Sequence, residues 1–201
     1  MKKLILLLVC LVSLGIQAQE FHFIPKVGMN IANMTNSDGA DPRIGLNIGV
    51  NGEFALTERF SLEPGVYYSM QGAKKSESGV TATLKNDYVN IPVLGKVYAY
   101  KGLNFFAGPQ IGFLVNSKAS GSYSGISVDV DTKDAFKTID FALVFGAGYQ
   151  TDLGLNFSVN YNLGLANTFD TGSFDFGGQP INMEGENSKN SVFQVNVGWR
   201  F

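Results

Sequence analysis

Five charged residues interrupt alternating apolar runs of this 201-residue chain: Lys26, Glu53, Glu63, Lys96 and Arg200. Two of them, Glu53 and Glu63, are of the type a glycosidase pairs, one carboxyl as general acid and the other as nucleophile or base. The three cations argue against that use, because a nearby positive charge favours the ionised carboxylate and removes the acid. The competing chemistry is electrostatic. In a narrow, dry space the five must pair, since an isolated buried charge costs several kcal/mol even after relaxation. Such a cluster either plugs a channel or forms a static set of pairs that satisfy one another.

Other reactive types are scarce. His22 is the only histidine and lies near the start of the mature chain, so a Ser-His-Asp hydrolase would have to be built from a flexible end. The segments 36–41 (Asn36, Ser37, Asp38, Asp41) and 129–134 (Asp129, Asp131, Asp134) carry oxygen ligands at calcium-loop spacings. Neither has the twelve-residue pattern ending in a bidentate Glu, so both read as solvated loop acids. No GxxxxGK[ST] loop is present to cradle phosphates. No catalytic residue, cofactor or resident metal is expected.

Residues 1–18 have the form of a secretory signal: Lys2 and Lys3, an apolar core from Leu4 to Leu14, and Ile16-Gln17-Ala18 before Gln19. Lipoprotein processing at Cys10 is disfavoured, because Val9 stands where a small residue is needed. The only cysteine therefore leaves with the leader, and the remaining domain, 19–201, has no thiol chemistry. Without Lys2 and Lys3 the chain has 13 basic against 17 acidic residues, a formal charge of −4, which argues against nucleic acid as a partner.

The elements that must position the five charges are strands. Twenty-four glycines, sixteen phenylalanines and eight tyrosines suit sheet far better than helix. No run after the leader approaches the roughly 20 apolar residues of a membrane helix, so any crossing must be made by a closed barrel. Alternating segments span 23–33, 43–56, 59–72, 87–100, 103–117, 138–151, 155–166 and 191–201. Their connections alternate too. Thr57-Glu58, Lys101-Gly102 and Asp152-Leu153-Gly154 are tight, whereas 34–42, 73–86, 118–137 and 167–190 are long and polar. Such sorting is the mark of an outer-membrane barrel with periplasmic termini.

The faces agree. Leu155, Phe157, Val159, Tyr161, Leu163 and Leu165 oppose Asn156, Ser158, Asn160, Asn162 and Gly164, which fits lipid outside and a polar lumen. On this reading Lys26, Glu53, Glu63, Lys96 and Arg200 point inward near the periplasmic end. Glycines at 108, 112, 146 and 148 leave room for long lumen side chains. Pro64, Pro92 and Pro109 lie inside strands, where bulges or open ladder positions are expected. Tyr88, Tyr98, Tyr100, Tyr149, Trp199 and Phe201 read as an interfacial aromatic girdle. In the last loop, Phe169, Phe174, Phe176 and Ile181 could contact a partner, fold over the barrel mouth or extend the strands, and strand extension is expected for part of the loop.

Several stretches resemble the outer-membrane β-barrel ("porin family") proteins common in Bacteroidetes, which are OmpA-like small barrels: residues 26–30, 61–72, 88–93, 108–114 and 161–165. All three strand prolines fall within them. Gly65 and Gly95 depart from the family pattern, where an acidic and a bulky apolar residue are expected. The resemblance implies an eight-stranded antiparallel up-and-down transmembrane barrel in the outer membrane of a Gram-negative cell. It also implies that Trp199 and Phe201 are read by the barrel-assembly machinery during biogenesis. Eight staves enclose an interior just wide enough for side chains to fill, which argues for a structural or loop-presenting protein over an open pore. A small porin-like pore is the first alternative. A soluble periplasmic barrel with its apolar faces turned inward to hold a ligand, as in lipocalins, is the second.

Overall fold

The computed structural model describes residues 20–35, 41–77, 80–123, 126–168, 173–176, 179–182 and 188–201. Residues 1–19 and all of the first oxygen-rich segment but Asp41 lie outside the described residues. The strands are β1 (Phe21–Met34), β2 (Asp41–Ala55), β3 (Phe60–Glu77), β4 (Val80–Tyr100), β5 (Leu103–Tyr123), β6 (Ile126–Asp131), β7 (Ile139–Gln150), β8 (Leu155–Gly164), β9 (Ser173–Phe176), β10 (Gln179–Asn182) and β11 (Asn190–Trp199). Eight of them, all but β6, β9 and β10, form one antiparallel sheet in the order β4-β3-β2-β1-β11-β8-β7-β5, and a β4–β5 ladder closes it into a barrel. The last strand meets the first over a continuous register from Lys26↔Gly198 to Met34↔Asn190. Beyond it, the Phe201 amide donates to the Phe23 carbonyl at 2.9 Å.

Period-two alternation decides which side each residue takes, and here the usual polarity is inverted. Ile44, Leu46, Ile48, Val50, Phe157, Val159, Val195 and Val197 are exposed on the outer face, while Asn30, Asn47, Asn51, Asn156, Asn160 and Asn196 are buried in the lumen. Among the described residues no helix is long and apolar enough to cross a bilayer. Crossing therefore falls to the strands, whose closed ladder leaves no edge.

The three prolines are accommodated without bulges. The β2–β3 register holds its count but lacks pairs between Asn51↔Gly65 and Phe54↔Leu62, where Pro64 lies; the β3–β4 and β4–β5 ladders are open in the same way beside Pro92 and Pro109. Bulges occur elsewhere, between Pro42 and Asn47 and between Asp87 and Tyr88.

Two expected loops are corrected. The segment 73–86 is a strand hairpin, with β3 and β4 paired out to Glu77↔Val80, and β5 continues to Tyr123 beside the added strand β6. Above an apolar belt the outer face of a strand meets water, so the hydrophobic alternation fades while the ladder continues. The last loop is corrected too. β9 and β10 form a separate two-stranded sheet, with Phe174 opposite Ile181, and do not prolong β8 or β11. Phe169 lies outside the described residues.

Candidate functional site

Lys26, Glu53, Glu63 and Lys96 come from β1, β2, β3 and β4, and Arg200 follows β11, so five contiguous staves bring the cluster onto one arc of the lumen. The register that pairs Asn51 with Gly65 and Phe54 with Leu62 sets Glu53 beside Glu63, and Ser61↔Lys96 brings the ammonium alongside. Two adjacent carboxylates would repel in a space of low dielectric; interleaved cations resolve this. Lys26 Nζ donates to Glu63 Oε1 at 2.8 Å, and Lys96 Nζ pairs with Glu63 Oε2. Lys96 Nζ also lies 3.5 Å from Glu53 Oε2, and Arg200 Nε lies 3.8 Å from the same oxygen. Glu63 thus bridges two ammonium groups, and Glu53 is held between an ammonium and a guanidinium.

Further hydrogen bonds complete the shell. Tyr98 Oη donates to Glu53 Oε1 at 2.6 Å, Asn51 Nδ2 donates to Glu63 Oε1, and Arg200 Nη2 lies 3.0 Å from His22 Nδ1. Glu53 and Glu63 are at most 1 % exposed, as buried as an apolar core residue. Both carboxylates are committed to cations. All five residues singled out from the sequence are brought together.

Further along the lumen a chain of amides links the inner faces of β3, β2, β1, β11 and β8. Asn47 Nδ2 donates to Asn196 Oδ1 at 2.8 Å and Asn196 Nδ2 to Asn160 Oδ1 at 3.2 Å; Asn160 Nδ2 donates to Gln194 Oε1, Gln194 Nε2 to Asn30 Oδ1 and Asn30 Nδ2 to Ser69 Oγ, each within 2.9 Å. Asn47, Asn51 and Asn90 border a cavity of ≈ 30 Å³, room for little more than a water molecule or two. Gly146 lets this interior close up, since a Cβ there would lie 2.7 Å from Phe106 Cζ.

At the opposite end from the charges an apolar cap covers the mouth. Met34, Ala73, Tyr88, Leu114, Ala135 and Phe136 pack together, with Leu84 against them. Ala135 and Phe136 come from the return between β6 and β7, a 3₁₀ turn at Lys133–Ala135 that folds inward and is fastened by Lys137 N–H to Thr168 O at 3.0 Å. Sequence reasoning missed this cap. Its one signal was the Ala-Phe pair at the end of the long loop before β7.

The family model described as outer membrane protein beta-barrel domain matches residues 17–170, well over half of the chain. The chain belongs to this outer-membrane β-barrel family. Among solved structures, neisserial surface protein A (NspA) aligns over 92 % of this chain and 100 % of its own, at 11 % identity and a TM-score of 0.53. Ail, the attachment invasion locus protein of Yersinia pestis, aligns over 90 % of this chain and 99 % of its own, at 13 % identity and a TM-score of 0.48. At these identities the likeness is one of fold. No curated protein sequence matches the chain.

In an outer-membrane barrel the exposed apolar face is the lipid-facing one, and the aromatic assignments can be checked against it. Tyr100, Tyr149, Trp199 and Phe201 lie exposed at strand ends, Trp199 and Phe201 with ring centroids 6.4 Å apart. Tyr98 and Tyr88 do not belong to that girdle. Tyr98 serves Glu53 in the lumen, and Tyr88 is 1 % exposed within the cap. Both share the parity of Lys96, which already pointed inward. Of the second oxygen-rich segment, Asp131 Oδ1 accepts the Lys133 amide at 2.9 Å, which gives it a turn-forming role.

Proposed function

We propose that this chain is an outer-membrane barrel whose lumen is sealed by its own side chains, so that it acts through its shape and its loops and not by passing solutes. The observation that carries this reading is the bridged carboxylate: Glu63, 1 % exposed, bound by both Lys26 and Lys96 inside the lumen. The amide chain and the Phe136 cap add two further obstructions in series. Purified protein in liposomes is expected to give no swelling with small sugars above the lipid-only rate. Swelling at a rate that depends on sugar size would replace this reading with that of a small pore.

The same reading takes residues 1–18 as an export signal removed before assembly and places the charged end in the periplasm. Trp199 and Phe201, on the outer face of the final strand, are then the pair recognised by the barrel-assembly machinery. We assign no catalytic role. Orientation is testable because the only cysteine, Cys10, lies in the leader. On intact cells a membrane-impermeant maleimide is expected to label Asp134→Cys, in the long loop, and to leave Lys101→Cys, in a short turn, unlabelled until the outer membrane is opened. The reverse pattern would invert the barrel.

A further inference from the structure

On the lipid-facing side the β3–β4 ladder climbs from Phe60↔Val97 to Met70↔Asp87 in ten residues. At ~3.3 Å per residue and a tilt of ~40° this spans ~25 Å, the height of a barrel's apolar band. Asp87 therefore marks the upper edge of the belt. Its charge is already used: Arg43 Nη1 lies 3.7 Å from Oδ1, while Tyr68 Oη and Asn116 Nδ2 donate to Oδ2 at 2.9 and 3.1 Å.

One step higher the ladder sets Lys85 directly opposite Lys118, and two residues further Lys74 opposite Thr83. Asn86 and Ser117, bonded to each other at 2.8 Å, face the lumen, so Lys85 and Lys118 face outward. Like charges directly opposite on one face repel. Among the described residues none of these three ammonium groups forms a salt bridge; the nearest acids in register are Asp41, opposite Lys74, and Asp131, opposite Lys118. Immediately below are the exposed apolar side chains Val115 and Tyr68. Repelling cations directly above an acyl-chain surface are the complement of a lipid whose headgroup carries phosphate.

We infer that Lys74, Lys85 and Lys118 form a docking surface for the phosphate of an outer-leaflet lipid, which would relieve the Lys85–Lys118 repulsion and fix the barrel's height in the membrane. The inference rests on the orientation proposed above, which puts this rim in the outer leaflet. Binding is to be measured on the full chain in zwitterionic micelles, which expose both rims whatever the cellular orientation, by titrating bisphosphorylated lipid A and following retained lipid by native mass spectrometry. Each lysine near an anionic surface contributes about 1 kcal/mol, so Lys74→Gln/Lys85→Gln/Lys118→Gln is expected to weaken binding on the order of 100-fold. Lys101→Gln, at the other rim, is expected to leave it unchanged, and added salt to weaken it in the parent chain. Equal binding by the triple variant and the parent, an equal loss with Lys101→Gln, or competition by inorganic phosphate at the same concentration as the lipid would each overturn the proposal. Orientation stands or falls separately on the maleimide labelling.

Discussion

Replacing Glu63 with alanine is expected to cost the barrel about 3–5 kcal/mol, the range for breaking a buried ion pair and leaving its partner uncompensated. Here the loss removes the carboxylate that Lys26 pairs with and leaves Lys96 with Glu53 alone. Asn51, which also donates to Glu63, loses its acceptor. Urea unfolding in micelles, followed by the gel shift between compact and unfolded forms, measures the effect. Glu63→Gln is expected to lose less, since an amide oxygen still accepts a hydrogen bond. Bilayer conductance of Glu63→Ala is expected to stay at the baseline, because the amide chain and the Phe136 cap still obstruct the lumen. A conductance step in that variant alone would make the ion cluster the seal itself, an ionic plug in the strict sense.

The second large effect concerns the other face. Val159 lies at the middle of β8, exposed and flanked by Ala147 and Val195 in register. With that face in lipid, Val159→Arg is expected to destabilise the folded state by about 2–4 kcal/mol in a bilayer, the midplane cost of a guanidinium. In a soluble barrel the same exposed position would tolerate the change to within about 0.5 kcal/mol. Unfolding in bilayers of two thicknesses therefore distinguishes the membrane barrel from a lipocalin-like one, because only the former feels depth.

The cluster was legible in the sequence because each of its members breaks an apolar alternation, and parity then sends all of them to one side. The same parity places Tyr88 and Tyr98 inward. Reading them as girdle aromatics put residue type above position; Tyr100, of the same parity, is exposed because the register shifts between Tyr98 and Tyr100 at the strand end. Where the chain leaves strict alternation, legibility fails for a physical reason. The bulge between Asp87 and Tyr88 inserts Val115 into the facing strand, so the Asp87–Asn116 contact cannot be read by counting from Leu114. The Phe136 cap is a long-range contact of a single aromatic, with no period to announce it. The hairpin at 73–86 was hidden because ladder hydrogen bonds do not require apolar side chains, and above the belt only the ladder is left.

The meeting of β1 with β11 has a consequence in time. Lys26 and Arg200 are brought to one arc by the pairing of the first strand with the last, so the cluster cannot be completed until nearly the whole chain is present. Until then Glu53 lacks the Arg200 guanidinium, while β1 and β4 already supply Glu63 with Lys26 and Lys96. A slip of one residue at the seam would turn every side chain of the closing strand to the wrong face. Arg200 would then point at lipid, and Glu53 would lose it. The ion cluster is thus complete only when the ring shuts in the correct register.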